Sequence, residues 1–140
     1  MAVDEGQSTY GLPTAVLMTA SSLLLVASCS LLRGDPVQEQ WQERSALPSC
    51  GEFTLEVGER LEASSRAEVA CLADAWAAGD GAELLVRYGT VEGDPITEYY
   101  RVVPGGGAEV FIDATQDKFG SQRWEFSRCD TPTSALDVSC

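Results

Sequence analysis

Charge is missing from Gly6 to Leu32, and within that span the run Leu12 to Ala27, LPTAVLMTASSLLLVA, is dominated by Leu, Ala and Val. A run of this length and composition predicts a signal-peptide hydrophobic region or a short membrane span. Beyond it the pattern breaks into short periodic segments. DPVQEQWQER, residues 35–44, reads as a short helix: Asp35 suits the N-cap, Pro36 the first helical position, and Val37 and Trp41 sit one turn apart. Pro48 ends it. EFTLEV, 52–57, alternates charged and apolar residues and predicts a half-buried strand with Phe53, Leu55 and Val57 on one face. In SSRAEVACLADAWAAGDG, Ser65 and Glu68 have capping-box spacing and Gly79 supplies a stop, which predicts the main helix. At 100° per residue Val69, Leu72, Ala73 and Trp76 gather on one side, with Cys71 nearly opposite.

Four strand-like runs follow, divided by turn chemistry. AELLVRYG places Leu84, Val86 and Tyr88 together; ITEYYRVV places Ile96, Tyr100 and Val102; AEVFID gives Val110 and Ile112; QRWEFSR gives Trp124 and Phe126. These sets can share one buried face under Val69, Leu72 and Trp76. The expected fold class is α+β, one principal helix packed on a four- to five-stranded antiparallel meander sheet. Arg87, Tyr99, Arg101, Phe111, Arg123 and Glu125 then fall on the opposite face. Arginine and aromatic residues are enriched in interface hot spots, so this face is where an envelope protein partner would dock. The plainer reading is a solvated sheet with long side chains laid over it.

The apolar run ends in VASC, Val26-Ala27-Ser28-Cys29, which resembles the bacterial lipobox, where small residues precede a cysteine that is diacylated and becomes the new N-terminus. Asp4 and Glu5 stand where a signal peptide usually begins with Lys or Arg, so either translation starts after Met1 or recognition is unusual. The organisation expected is a signal peptide over 1–28, lipidated Cys29 with a tether over 29–49, and a domain over 50–140. Such a chain is held by acyl groups at the outer face of the cell membrane; an uncleaved anchor and a buried hydrophobic helix are the alternatives.

Four cysteines remain after Cys29, an even number suited to two disulfides in an exported domain. Three pairings are open. Because Cys71 lies on the back of the helix, where the C-terminal tail could cross, the preferred set is Cys71–Cys140 with Cys50–Cys129. No CxxC pair and no histidine occurs, which argues against zinc, haem and thioredoxin-type chemistry. The 22 acidic residues against 9 basic ones disfavour nucleic acid and leave cationic ligands, metal ions or basic surfaces, or simple solubility. Eight of the nine basic residues are arginine, which together with abundant Ala and Gly points to a GC-rich, actinobacterial type of genome.

Two loops carry the candidate chemistry, TVEGDP (90–95) and ATQDKFG (114–120). In a meander they fall at the same end of the sheet, with the glycine turn PGGG (104–107) at the other, so Glu92, Asp94, Asp113 and Asp117 are expected to converge. Thr90, Glu92, Gly93, Asp94, Pro95 and Ile96, then Asp113, Thr115, Asp117, Phe119 and Gly120, with a later Cys129, resemble an uncharacterised family, a domain of unknown function in secreted proteins and lipoproteins of Gram-positive bacteria. The resemblance covers about residues 50–130. It implies placement outside the membrane and shared fold; the family has no established reaction.

Oxygen ligands at Asp113, Thr115 and Asp117 match the opening of a calcium loop, but Lys118 replaces its glycine and Trp124 its closing glutamate. The plainer reading is that these side chains bond their own loops, with Gly93 and Gly120 at positive φ and Phe119 plugging the sheet end. No cofactor is expected unless calcium binds there. A Ser-His-Asp or Cys-His site is excluded without histidine, and Lys118 is the single lysine for a Ser-Lys variant. The leading expectation is a non-enzymatic binding or interaction module. Alternatives are a protease-inhibitor-like protein, since the actinobacterial subtilisin inhibitors have a similar layout, and a hydrolase using paired carboxylates such as Glu92 and Asp117.

Overall fold

Five strands form one sheet in the order β1-β2-β3-β4-β5 in the computed structural model, which describes residues 34–140. They are β1 (Ser49–Thr54), β2 (Ala82–Gly89), β3 (Pro95–Val102), β4 (Ala108–Asp113) and β5 (Trp124–Cys129). Helix α1 (Pro36–Glu43) precedes β1, and a short 3-10 turn (Leu61–Ala63) and helix α2 (Ala67–Ala78) lie between β1 and β2. The expected signal peptide over 1–28 and the lipidation at Cys29 lie outside the described residues. Among the described residues no helix is long and apolar enough to cross a membrane.

Strands β2 to β5 are the antiparallel meander that the turn spacing predicts, but β1 joins it parallel to β2. The helix between β1 and β2 is the reason: it returns the chain to the end where β1 began, and a second strand started there must run the same way. So the sheet is mixed. Strand β1 also stops earlier than its alternation suggests. Val57 lies beyond it and is 97% exposed rather than inward-facing.

Each face of the sheet carries a helix. On one side α2 sets Leu72 against Phe53, Leu84, Val86 and Val102, with Val69, Trp76 and Tyr100 packed around them and Ala135 from the C-terminal tail closing the layer. Helix α2 starts one residue later than expected: Arg66, not Ser65, is its N-cap and gives no side-chain cap, while Gly79 ends it in the left-handed conformation as predicted.

The other side departs from the sequence reading. Residues 34–49, expected as tether, belong to the same compact unit as the rest. Helix α1 lies on the face expected to be open to a partner. Trp41 packs on Tyr99 at 4.1 Å between ring centroids and on Phe111 at 5.3 Å, and Tyr99 stacks on Trp124 at 5.7 Å. Phe111 is 1% exposed, so the docking face expected there is already occupied by the chain itself. Asp35 caps α1 as predicted, accepting from the amides of Val37 (2.9 Å) and Gln38 (3.4 Å). Its second oxygen accepts from the amide of Trp124 at 2.9 Å and fastens the helix start to β5. Those amides hold the Asp35 carboxyl below the usual range, the Trp124 bond contributing most.

Strand β5 is turned over relative to expectation. Asp113 pairs with Trp124 and Phe111 with Phe126, which puts both β5 aromatics on the α1 side rather than beside Val110 and Ile112. Behind the aromatic cluster the same face carries a row of alternating charge, one residue per strand. Glu83 pairs in register with Arg101, Arg101 with Glu109, and Glu109 with Arg128. Arg101 donates to Glu109 at 2.8 Å and to the Ser45 carbonyl at 2.8 Å, Arg128 donates to Glu109 at 2.9 Å, and Arg44 from the end of α1 donates to Glu83 at 2.8 Å. Arg101 Nε is buried 3.7 Å from Glu83 without a hydrogen bond. A slip of one residue in any strand would carry one of these charges onto the apolar α2 face, so the row fixes the register of β2 to β5.

Both disulfides form, with a pairing different from the one preferred: Cys50–Cys71 and Cys129–Cys140. Cys71 does point away from the main core, but the segment passing there is the start of β1. The tail instead turns back on the end of β5.

Candidate functional site

The two loops read as candidate chemistry do lie at one end of the sheet, and a single pair joins them. Asp94, 6% exposed, accepts from the Lys118 amide at 3.0 Å and from the Lys118 ammonium at 2.9 Å. Lysine at this position is one of the two departures from the calcium-loop pattern, and it is the group that Asp94 binds. Its two hydrogen bonds hold the Asp94 carboxyl below the usual range, the ammonium contributing most, and the lysine is raised in return.

The other three carboxylates are spent locally or left in solvent. Asp113 accepts from the Thr115 amide at 3.0 Å and hydroxyl at 2.6 Å, and Asp117 from the amides of Phe119 at 3.0 Å and Gly120 at 2.9 Å. Glu92 is exposed beside Gly93, whose φ of 86° turns the hairpin. Gly120 has a different role from the one expected: its φ is not positive, but a Cβ there would run into the Asp117 carboxylate. Phe119 does not plug the sheet end; it is 77% exposed. Among the described residues no group of three or more His, Cys, Asp or Glu is placed to hold a metal ion.

A better-formed cleft lies on the α2 side of the same end. It has a volume of about 500 Å³ and lies between the connection that follows β1 and the ends of β2 and β3, with Leu61 in its lining and Val57 and Val91 among its outer residues. Glu98 is part of its lining. Strand β3 alternates, so the residues facing α2 are Ile96, Glu98, Tyr100 and Val102; a carboxylate therefore occupies a core-facing position, opposite Val86. Two phenols satisfy it. Tyr88 donates to one oxygen at 2.9 Å and Tyr100 to the other at 2.8 Å. Burial first, and then the Glu98 charge, push both phenols well above their ordinary pKa, so both remain donors at any physiological pH.

The cleft wall is tied in place from α2. Arg66 donates to both oxygens of Glu59, at 3.2 and 3.1 Å, and lies over the Phe53 ring at 4.6 Å. That pair lowers the Glu59 carboxyl and raises the guanidinium. With Glu59 matched by Arg66, the lining still carries Glu56, Glu62 and Glu98 against Arg60.

The sequence reading passed over this site although its signal was present. In ITEYYRVV the apolar alternation runs through Ile96, Tyr100 and Val102, and the position skipped between them is Glu98. An acid inside an apolar stripe, with tyrosines two residues on and across the strand, marks a carboxylate that the fold must accommodate. Comparison of the chain with family models, with curated proteins and with solved structures gives no match.

Proposed function

We propose that the chain is a lipid-anchored, extracytoplasmic binding module, non-enzymatic, whose Glu98 cleft receives an organic cation such as a primary amine or guanidinium. The observation that carries the ligand class is the Glu98 carboxylate, held by two phenols, in the lining of an acidic cleft. Each Glu98 oxygen uses one lone pair on a phenol and keeps acceptor capacity for an incoming N–H donor. The aromatic rings of Tyr88 and Tyr100 add faces on which a cation is stabilised. Two phenols kept protonated serve as hydrogen-bond donors rather than as bases or nucleophiles, which favours binding over catalysis.

The anchoring half of the reading is supported by the lipobox-like VASC and by the four later cysteines, all used in two disulfides, as suits an oxidising compartment. Replacing Cys29 by Ala should release the exported chain from the membrane; unchanged membrane association would remove the anchor.

Calorimetric titration of the full chain with agmatine tests the cleft. Saturable one-site binding that is lost in Glu98→Gln and retained in Glu92→Gln is the expected result. Equal weakening in both variants would mean that agmatine answers only to the chain's overall negative charge, and the cleft assignment would fall.

A further inference from the structure

Among the described residues the exposed large hydrophobic side chains are Val57, Val91 and Phe119, at 97%, 100% and 77%. They lie on three different connections: Val57 follows β1, Val91 joins β2 to β3, and Phe119 joins β4 to β5. Topology puts all three at one end. Because β1 runs parallel to β2, its C-terminal end lies beside that of β2, and the meander brings the end of β4 to the same side. The glycine turn, the disulfides and the charge row occupy the opposite end.

The chain enters the folded unit at this apolar-tipped end as well. Asp35 is bonded to the amide of Trp124, whose partner Asp113 closes β4 there, and α1 then crosses the sheet to place Arg44 on Glu83 at the far end. Only residues 30–34 separate Cys29 from Asp35. Fully extended, that segment reaches roughly 20 Å. A lipid on Cys29 therefore keeps the entry point close to the headgroup layer.

We infer that the sheet end bearing Val57, Val91 and Phe119 rests on the outer membrane surface, with these three side chains entering the bilayer interface. This rests on the anchoring reading above. The acyl chains supply the affinity, and the apolar tips set the orientation. Glu92 and Glu56 lie next to these tips in sequence, so the apposition is apolar rather than electrostatic, and a zwitterionic bilayer is the simplest surface to probe. Since Val57 and Val91 also line the Glu98 cleft, its entrance would lie within reach of the headgroup layer.

The test uses the acylated full chain reconstituted into phosphatidylcholine vesicles with brominated acyl chains, comparing Val91→Trp and Phe119→Trp with Asp80→Trp, a control at the opposite end. All three positions are exposed, and unchanged melting of each variant guards against misfolding. Relative to the unsubstituted chain, the added fluorescence at 91 and 119 should fall about twofold or more in brominated vesicles, and that at 80 should not change, as expected for side chains within the interface. Flotation with the vesicles but equal quenching at the two ends would overturn the orientation and leave the anchor standing. Failure to float would remove the anchor and the orientation together.

Discussion

Where the glycine turn 104–107 joins β3 to β4, both disulfides close beside the row Glu83–Arg101–Glu109–Arg128; at the other end of the sheet, the connections 90–94 and 114–123 are held mainly by hydrogen bonds within and between themselves. The first end is cross-linked through groups distant in sequence, so it opens only if several strands part together. The second is assembled from short-range bonds around Thr90, Asp113 and Asp117, and its tips can change without disturbing the sheet. Binding surfaces are commonly built in this way, on loops carried by a rigid frame. The cleft around Glu98 lies where the two regimes meet, its carboxylate on a central strand and its rim on a connection.

Removing one member of the charge row is the largest blow to this contrast. Glu109→Gln leaves Arg101 buried with its main partner weakened, and breaking such a pair costs roughly 3–5 kcal/mol. Urea unfolding of the full chain measures it. Replacing both members, Arg101→Met with Glu109→Leu, should recover much of the loss, because the row specifies register more than it adds stability. A loss of less than about 1 kcal/mol for Glu109→Gln, the range of exposed pairs, would show that the row is solvated and the two ends are alike.

The disulfides come next. Replacing Cys50 and Cys71 by Ala should cost about 2–4 kcal/mol. The Cys129–Cys140 bridge spans 11 positions against 21 for Cys50–Cys71, so its removal should cost about 0.5 kcal/mol less on loop entropy alone. The reverse ranking in urea melts would mean that the tail packing of Ala135 and Leu136 depends on the second bridge and carries more of the core than the loop length implies.

What could be read in the sequence follows the same division. Local features were legible: the Asp35-Pro36 helix start, the Gly79 stop, the meander of β2 to β5 and the placement of two acidic loops at one end. Features that depend on which surface meets which were not. Nothing in DPVQEQWQER says where Trp41 will pack, so α1 reads as tether until the aromatic face beneath it is seen. Strand β4 is buried on both sides, Val110 on the sheet face it shares with Tyr100 and Phe111 on the opposite face under Trp41, and a single alternating pattern conceals one of the two layers. The long connection before β5 hides its register, which is how Trp124 and Phe126 come to be placed on the wrong face. Pairing among four cysteines is a matter of proximity, and a helical wheel gives the direction of Cys71 without giving its neighbour. Glu98 is the exception, a charge legible inside the apolar alternation of Ile96, Tyr100 and Val102.

The smallest effect belongs to the bond that joins the two acidic loops. Asp94 has its folded pKa depressed, first by the Lys118 ammonium and then by its amide. A depressed carboxylate contributes stability that is complete above its unfolded pKa, about 3.9, and is lost as pH falls through the lower folded value. Lys118 is shifted the opposite way, so its share is complete below its unfolded pKa, about 10.4, and lost as pH rises through the folded one. Between those limits the pair is constant. Asp35, Glu59 and Asp137 are also depressed, so acid will destabilise the chain with or without Asp94. The informative quantity is therefore the difference in melting temperature between the unsubstituted chain and Asp94→Asn. It should favour aspartate at neutral pH and shrink below about pH 4, where the lost proton-linked stability resides. Because the Lys118 side chain is 76% exposed, screening should keep the difference smaller than either disulfide effect. A difference that stays constant from pH 6 to pH 2 would show that the loops are joined by the shape of the turn and not by the ion pair.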